Sequence, residues 1–427
     1  MNKNDVIELA IEDLTAEGNG VGKAGITVFV PEALPGDVIS AKIVKVKKNY
    51  AYGKILEIKQ SSPNRIESKC PVSDKCGGCQ FQHYDYKAQL AFKENLVKNA
   101  LQRIGGCENP PVLPILGMDK PYNYRNKAQF VGGMGFYAQR SHRLIPVSDC
   151  NIQRPECNEV LRKVQGLSIP VYDEETHTGL LRHVVVRVGK EEIMVILVFN
   201  EKNVSELPKT EIAFDNLLIN ENTAKTNVIL GKSFKLLNGS GYIYDEIGHI
   251  RYRISPRAFF QVNSEQCKVL YDNVAKHIGD GERVVDAYSG IGGIALYIAG
   301  KAESVIAIES VPEAVEDGQY NAGLNCIDNV EFVCGLAEDF DIAEGSCDTI
   351  VLDPPRKGCD GKLLDMIVSR EIPKVVYVSC DPATLARDVK RLCAGGYQVG
   401  EVQPVDLFPM TGHVETVVLL SLGDAHL

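Results

Sequence analysis

Asp286-Ala-Tyr-Ser-Gly290-Ile-Gly292-Gly293 is the stretch whose reading decides the fold of this chain. Ahead of it lies an apolar, β-rich segment, Arg283–Tyr288, and behind it Ile294 to Ala299 reads as a helix. Strand, glycine loop and helix open a doubly wound α/β sheet, the glycines letting the backbone turn tightly and approach a ligand closely. Further along, strand-like runs alternate with helix-like ones, at Ser304–Glu309, Val330–Cys334, Thr349–Asp353 and Lys374–Cys380. Two final strands near Gln398–Leu407 and Val414–Ser421 complete the pattern. It predicts an α/β, doubly wound C-terminal domain over residues 256–427.

Upstream the pattern is different. Residues 1–60 hold short β-rich runs, Val6–Ile11, Gly25–Val30, Val38–Val46 and Ala51–Ile58, parted by glycine-rich turns and Pro35-Gly36-Asp37. Four or five such strands predict a small OB-like β-barrel. Lys42, Lys45, Lys47, Lys48 and Lys54 are interleaved with Tyr50 and Tyr52. Charge for phosphates and rings for bases would suit single-stranded RNA, and a solvated strand face reads equally well. Residues 61–255 form a central β-rich domain that starts with a polar, cysteine-rich loop to residue 82. Tyr86 to Ile104 reads as an amphipathic helix with Leu90, Val97, Leu101 and Ile104 on one face, stopped by Gly105-Gly106 and able to pack on the C-terminal domain. Strands follow near Lys127–Val131, Leu181–Val188 and Glu192–Asn200. Arg125, Lys127, Arg140 and Arg143, among Tyr122, Tyr124, Phe130, Phe136 and Tyr137, make a second candidate RNA surface.

The 427 residues are too many for one core, and 44% hydrophobic with 24% charged is ordinary for a soluble globular protein. The longest apolar run, Ile193 to Phe199, is of strand length, and residues 1–14 lack a basic-then-apolar leader. A cytoplasmic protein without a membrane partner is expected. The net charge of −10 argues against indiscriminate nucleic-acid binding and leaves room for local basic patches. Thirteen cysteines, an odd number, argue for a reducing compartment over a disulfide scaffold. Cys107, Cys267, Cys326, Cys347 and Cys393 read as packing residues, leaving others as ligands or nucleophiles.

Ligands of an open α/β sheet sit at the carboxyl ends of its strands. Gly290-x-Gly292-x-x-Ala295 also fits a dinucleotide fingerprint, a weak signal alone. Glu309 ends the second strand, 23 residues after Asp286, where an acid can bind a ribose diol. Asp286, four residues before Gly290, could meet a cationic cofactor, which favours S-adenosylmethionine (SAM) over NAD. So do the preceding RNA-type modules and the next strand ends. Those ends read Val351-Leu-Asp353-Pro-Pro-Arg356 and Tyr377-Val-Ser-Cys380-Asp-Pro382, and put Asp353 and Cys380 side by side. A turn cap and an inert thiol are the plainer readings of the two. A helix starting at Pro382 would lower the pKa of Cys380 through its dipole. Uracil gives such a thiolate a task. Its C5 is a poor nucleophile until a thiolate adds to C6, and after methylation a base must remove the C5 proton. Glu415, in Pro409-Met-Thr-Gly-His413-Val-Glu415, faces Cys380 if the last strand runs antiparallel beside the fifth; His413 is the rival base.

At these residues the chain resembles the RNA uracil-5-methyltransferase family, in its branch that acts on 23S ribosomal RNA, over nearly the whole length. The most specific match is Ser379-Cys380-Asp381-Pro-Ala-Thr-Leu-Ala-Arg387-Asp388, with Asp381 where the family usually has Asn. Ser289 stands where Cys is frequent. The resemblance implies an RNA-binding TRAM barrel, a central iron–sulfur domain and a SAM domain. It implies Cys380 as nucleophile and Glu415, in His413-Val-Glu415, as general base. Tyr288, Glu309 and Asp353, with Gly290 and Gly292 of the loop, fall at SAM-binding positions. Gln261, in Ser255-Pro-Arg-Ala-Phe-Phe-Gln-Val-Asn263, falls where the family contacts cofactor or target base. Cys70-x5-Cys76-Gly-Gly-Cys79 with Cys150 matches the family's 4Fe–4S ligands, Cys157 being a rival for the fourth. Four thiolates by themselves suit zinc or a cluster; the resemblance implies the cluster, in a structural role. Barrel and cluster, taken as missing from the tRNA-modifying branch, point to 23S rRNA ahead of tRNA, with the uridine flipped into the pocket of a monomer. The competing readings are an amino-group methylase using Asp353-Pro-Pro and a non-catalytic iron–sulfur RNA-binding factor. A cytosine-5 enzyme would want a second cysteine, and Cys359 is out of place for it.

Overall fold

Period-two alternation closes the N-terminal strands on themselves. In the computed structural model, which describes residues 1–423 apart from 168, 203 and 205–213, β1 (Val6–Leu14), β2 (Gly20–Ala24), β3 (Ile26–Val30), β4 (Val38–Val46) and β5 (Tyr50–Gln60) form a closed barrel, order β1-β2-β3-β5-β4. Leu9, Ile11, Val28, Val30, Ile39 and Ile43 fill it. β2 is absent from the expected strands because Gly-Val-Gly reads as a turn. In the barrel a Cβ on Gly22 would come within 2.5 Å of the Ala10 carbonyl, so close strand approach requires the glycine.

α1 (Tyr86–Arg103) is capped by Asp85, whose carboxylate accepts the Lys87 and Ala88 N–H groups. Its buried stripe differs from the apolar one expected: Gln89, Lys93, Val97 and Leu101 are buried, while Ile104 is exposed. The central sheet contains β6 (Lys127–Val131), β7 (Gly135–Tyr137), β8 (Leu144–Pro146), then after α2 (Pro155–Gln165) β9 (Leu181–Val188), β10 (Ile193–Phe199), β11 (Asn216–Glu221) and β12 (Ser233–Asn238), in the order β12-β11-β10-β9-β6-β7-β8. α2 departs from the mostly β expectation. Its signal was present in the sequence: Pro155 at the first turn and Cys157, Val160, Leu161 and Val164 at helical spacing, all buried. A hairpin of β13 (Ile243–Ile247) and β14 (Ile250–Ile254) leads into the C-terminal part.

There the elements are α3 (Ser264–Lys276), β15 (Arg283–Asp286), α4 (Gly293–Ile298), β16 (Ser304–Glu309), α5 (Pro312–Leu324), β17 (Val330–Cys334), β18 (Thr349–Leu352), α6 (Gly361–Ser369), β19 (Lys374–Ser379), α7 (Pro382–Ala394), β20 (Tyr397–Val405) and β21 (Glu415–Leu422). The sheet order is β17-β16-β15-β18-β19-β21-β20, and β21 runs antiparallel to both its neighbours. The chain works outward from β15 to β17, then returns to the other side of β15 with β18. The carboxyl ends of β15 and β18 therefore flank the switch point where such sheets bind ligands. α1 packs against α7 and β20, and its Val97 and Leu101 join the core of Leu385, Val389 and Val402. Among the described residues no helix is long and apolar enough to cross a membrane.

Candidate active site

The glycine loop turns as its residues require. Gly290 and Gly292 have φ of 55° and 85°, a region where side chains are strained. Gly292 also abuts the Phe332 ring, 2.9 Å from where a Cβ would stand. The loop walls a pocket with Gln261, Tyr271, Asp286, Tyr288 and Asp353. Asp286 is 1% exposed and accepts the N–H of Ala295 at 3.0 Å. Burial and then the charge of Asp353 push its pKa up to about 7; burial takes Asp353 to about 7 as well. Glu309 accepts the N–H of Gly290 at 3.1 Å and that of Val311 at 2.8 Å. It thus braces the loop from β16. Tyr271 gives no functional signal in the sequence, since an α3 aromatic at helical spacing reads as core.

Strand pairing brings the thiol and the acid together. Ser379 on β19 lies opposite Thr416 on β21, and the residues just beyond that pair, Cys380 and Glu415, are near enough for the charge of Glu415 to act on the thiol. Glu415 is 5% exposed, and burial, followed by the charge of Asp353, raises its pKa to about 8, with Arg356 acting the other way. Cys380 is half-buried, and burial, then Glu415 and Asp353, raise its pKa to about 11. This corrects the lowered value expected from the helix dipole. Cys380 does precede α7, but the Asp381 carboxylate accepts the free N–H groups of Ala383 and Thr384 at 3.0 and 2.9 Å. That helix end is occupied by its own cap. His413 is exposed, with its ring nitrogen 3.3 Å from Arg356 Nη2, outside the buried pair. Cys359 is buried beside Tyr377 and Tyr288, and its backbone N–H donates to Asp388.

Cys70, Cys76, Cys79 and Cys150 line one cavity of about 400 Å³ together with Arg125, Lys127, Gln129 and Phe136. Cys157 is instead buried in the α2 core. The carbonyl oxygens of the buried Gln82 and Gln153 side chains, both on this wall, have no hydrogen-bond partner. Among the described residues no group of three His, Cys, Asp or Glu side chains is spaced to hold one metal ion. Of the cysteines read as packing, Cys326 is exposed, in a turn after α5.

Of the two candidate RNA surfaces, the barrel keeps its aromatics together: Phe29, Tyr50 and Tyr52 have centroids 5.6–5.8 Å apart, and Lys45 pairs directly across from Tyr52. The second is smaller than expected, since Tyr124 and Phe130 are buried and Lys127 lines the cysteine cavity. Phe259 is 72% exposed and borders both cavities. Its loop is pinned, with Arg187 Nη2 donating to the Ala258 carbonyl at 2.6 Å and Asn126 Nδ2 to that of Gln261 at 3.1 Å.

An open sheet of this order, with an acid-bearing glycine loop after its first strand, is a class I methyltransferase fold. The tRNA (uracil-5-)-methyltransferase family model matches residues 186–422 and the TRAM domain model residues 2–56. The chain belongs to the tRNA (uracil-5-)-methyltransferase family and is an RNA methyltransferase. It is 47% identical to an uncharacterized RNA methyltransferase of Halalkalibacterium halodurans, over 99% of this chain and 98% of that one. An uncharacterized RNA methyltransferase of Listeria monocytogenes is 43% identical, over 99% of both. Among solved structures, Pyrococcus abyssi tRNA (uracil-54, C5)-methyltransferase, in complex with S-adenosyl-L-homocysteine, is 29% identical with a TM-score of 0.81, over 97% of this chain and 99% of that one. A match of that extent includes the barrel, so a tRNA enzyme carries it too. The expectation that the barrel separates the ribosomal branch from the tRNA branch fails.

Proposed function

We propose that the protein transfers a methyl group from SAM to C5 of a uridine in RNA, through a covalent bond from Cys380 to C6, with Glu415 removing the C5 proton. The observation that carries this reading is the nearness of Cys380 and Glu415 at the end of the β19–β21 pair, beside a pocket walled by Asp286 and Asp353. The pocket fits a cationic cofactor: two carboxylates held near neutrality by burial gain from a positive neighbour. When bound, SAM supplies an electrophilic methyl on a sulfonium. Cys380, as thiolate, adds to C6 and pushes the C5–C6 electron pair towards the O4 enolate; C5 then takes the methyl. Glu415 removes the proton from C5, the double bond re-forms, and the Cys380–C6 bond breaks to return the thiolate. In this reading Gln261 and the exposed ring of Phe259, both on the pocket wall, meet the flipped base and its neighbour.

Residues 1–60, 61–255 and 256–427 act in this reading as RNA-binding barrel, iron–sulfur domain and methyltransferase domain. Cys70, Cys76, Cys79 and Cys150 would hold a 4Fe–4S cluster. Four thiols that line one cavity, with no three among the described residues spaced for one ion, would suit a cluster better than a single zinc. Arg125 and Lys127 on the wall offset its charge. Its role is structural, because methyl transfer moves no electrons. The sequence resemblance favours 23S rRNA as substrate, and the P. abyssi likeness favours tRNA.

The test is incubation with SAM and 5-fluorouridine-substituted 23S rRNA or tRNA, followed by a denaturing gel. Fluorine cannot leave C5 as a proton, so a methylated adduct that needs SAM and is lost in Cys380→Ala is expected, and the RNA that forms it names the substrate. Labelled methyl entering ordinary RNA without any adduct would overturn the Cys380 mechanism in favour of an amino-group methylase.

A further inference from the structure

The loop between β20 and Glu415 is held far more tightly than a strand connection needs. Asp406 opens it and is fully buried, as is its partner Lys93 on α1. Lys93 Nζ donates to Asp406 Oδ1 at 2.5 Å and to the Phe408 carbonyl at 3.0 Å. Asp406 Oδ2 accepts the Tyr86 hydroxyl at 2.8 Å. One turn before Lys93, Gln89 Oε1 accepts the Met410 N–H at 3.1 Å while its amide donates to the carbonyls of Phe81 and Tyr84. The Met410 carbonyl accepts two N–H groups of the cysteine loop, from Gln80 and Phe81, both at 3.0 Å. From the other side Asn263 donates to Leu407 and Tyr124 to Pro409.

Two physical points single this arrangement out. Met410 has φ of 66°, a strained value for a side-chain-bearing residue, which persists only where the surroundings over-determine it. Burying an ammonium and a carboxylate also costs desolvation that an apolar pair of similar volume avoids, so cohesion alone does not call for the pair. α1 is already fixed to the C-terminal domain by Val97 and Leu101 in the shared core. What the buried pair adds is a defined path for residues 406–414, which lead into Glu415.

We propose that Lys93, seconded by Gln89, is a positioning residue for proton removal: it sets the loop that aims Glu415 at C5. The inference rests on the reading of Glu415 as the base. It assigns α1, outside the methyltransferase sheet, a part in resolving the covalent adduct and none in forming it.

The test uses the full-length protein in three variants, Lys93→Met, Lys93→Met with Asp406→Leu, and Glu415→Gln. Adduct formation on uridine RNA is followed by rapid quench and denaturing gel, proton removal by tritium release from RNA labelled at uridine C5, and folding by thermal melting. A displacement of about 1 Å at a reacting group costs about a hundredfold, so Lys93→Met is expected to form adduct at the wild-type rate and to release tritium at least about tenfold more slowly. The double variant, with apolar groups replacing both charges, should recover the melting temperature but not the release rate; it carries the test if the single variant does not fold. A double variant that regains both would overturn the proposal and leave the pair a structural one. Formation and release falling together would do the same. Glu415→Gln that fails to trap adduct would instead overturn the reading of the base.

Discussion

Removing the Glu415 carboxylate separates the two halves of the proposed reaction. In Glu415→Gln the thiol, the cofactor pocket and the strand pairing are kept, so adduct forms and C5 is methylated, but nothing takes the proton. Loss of a general base costs about 10²–10⁴ in rate. The structure also fixes the pH dependence. Burial first and Asp353 second raise Glu415 to about 8, and Arg356 offsets only part of this. The sulfonium charge has left with the methyl by the time the proton goes, so no cofactor cation lowers that value. A base with a pKa of about 8 is about one-tenth ionised at pH 7, so wild-type release should climb about tenfold per pH unit below 8 and level off above it. The variant should be slow and flat. Quenched reactions with C5-tritiated RNA, sampled across this range, give both curves, and the gel shows the adduct that the variant accumulates. A variant within about threefold of wild type, or a wild-type profile without slope below pH 8, would refute the argument.

Three other outcomes follow from the same geometry. Asp286 and Asp353 at about 7 and Glu415 at about 8 have folded pKa values above their unfolded ones, so their contribution to stability is full below about pH 4 and is lost as pH rises through 7 to 8. Melting of the cofactor-free protein should fall over that window, and the gain on adding SAM should grow; a pH-independent gain would count against a cationic ligand. Phe259→Ala should raise KM for RNA roughly 5- to 150-fold, a stacking loss of about 1–3 kcal/mol, and leave SAM affinity and melting unchanged, because the ring is 72% exposed; a lowered melting temperature would make it a packing residue. Cys79→Ser should strip iron, sulfide and visible absorption from anaerobically purified protein while Cys157→Ser keeps them, and equal iron in both would exclude Cys79 as a ligand.

Much of the C-terminal half was legible because its signals are local. A buried parallel strand is a short apolar run, and the acid or thiol that follows it stands at the sheet's carboxyl edge whatever the loops do. Asp286, Asp353 and Cys380 could be placed this way, and Glu415 needed only the guess that the last strand runs antiparallel. The N-terminal barrel was legible apart from β2, where glycines demanded by close strand approach imitate a turn. What could not be read was long-range. Gln89 and Lys93 look like the solvent side of an amphipathic helix, and only the distant Asp406 and Met410 explain their burial. Tyr124 and Phe130 likewise belong to the interior, although in sequence they alternate with cations as an RNA face would.

The acidity of Cys380 is hidden from the sequence for a related reason. A helix start is visible in sequence, and so is the residue that caps it, but the carboxylates of Glu415 and Asp353 come from other strands. Together with burial they leave the thiol protonated at neutral pH. On the proposed roles this ordering is useful. A neutral thiol resists stray alkylation and oxidation, and charge on Glu415 opposes charge on Cys380, so the thiolate forms most readily while Glu415 keeps its proton. Once the thiolate is consumed in the bond to C6, the like charge is gone, and Glu415 can ionise at the stage that needs a base. Each group ionises by losing its own proton to solvent, Cys380 before the bond to C6 forms and Glu415 after it, and Arg356, which opposes both upward shifts, stands where it can stabilise either charge.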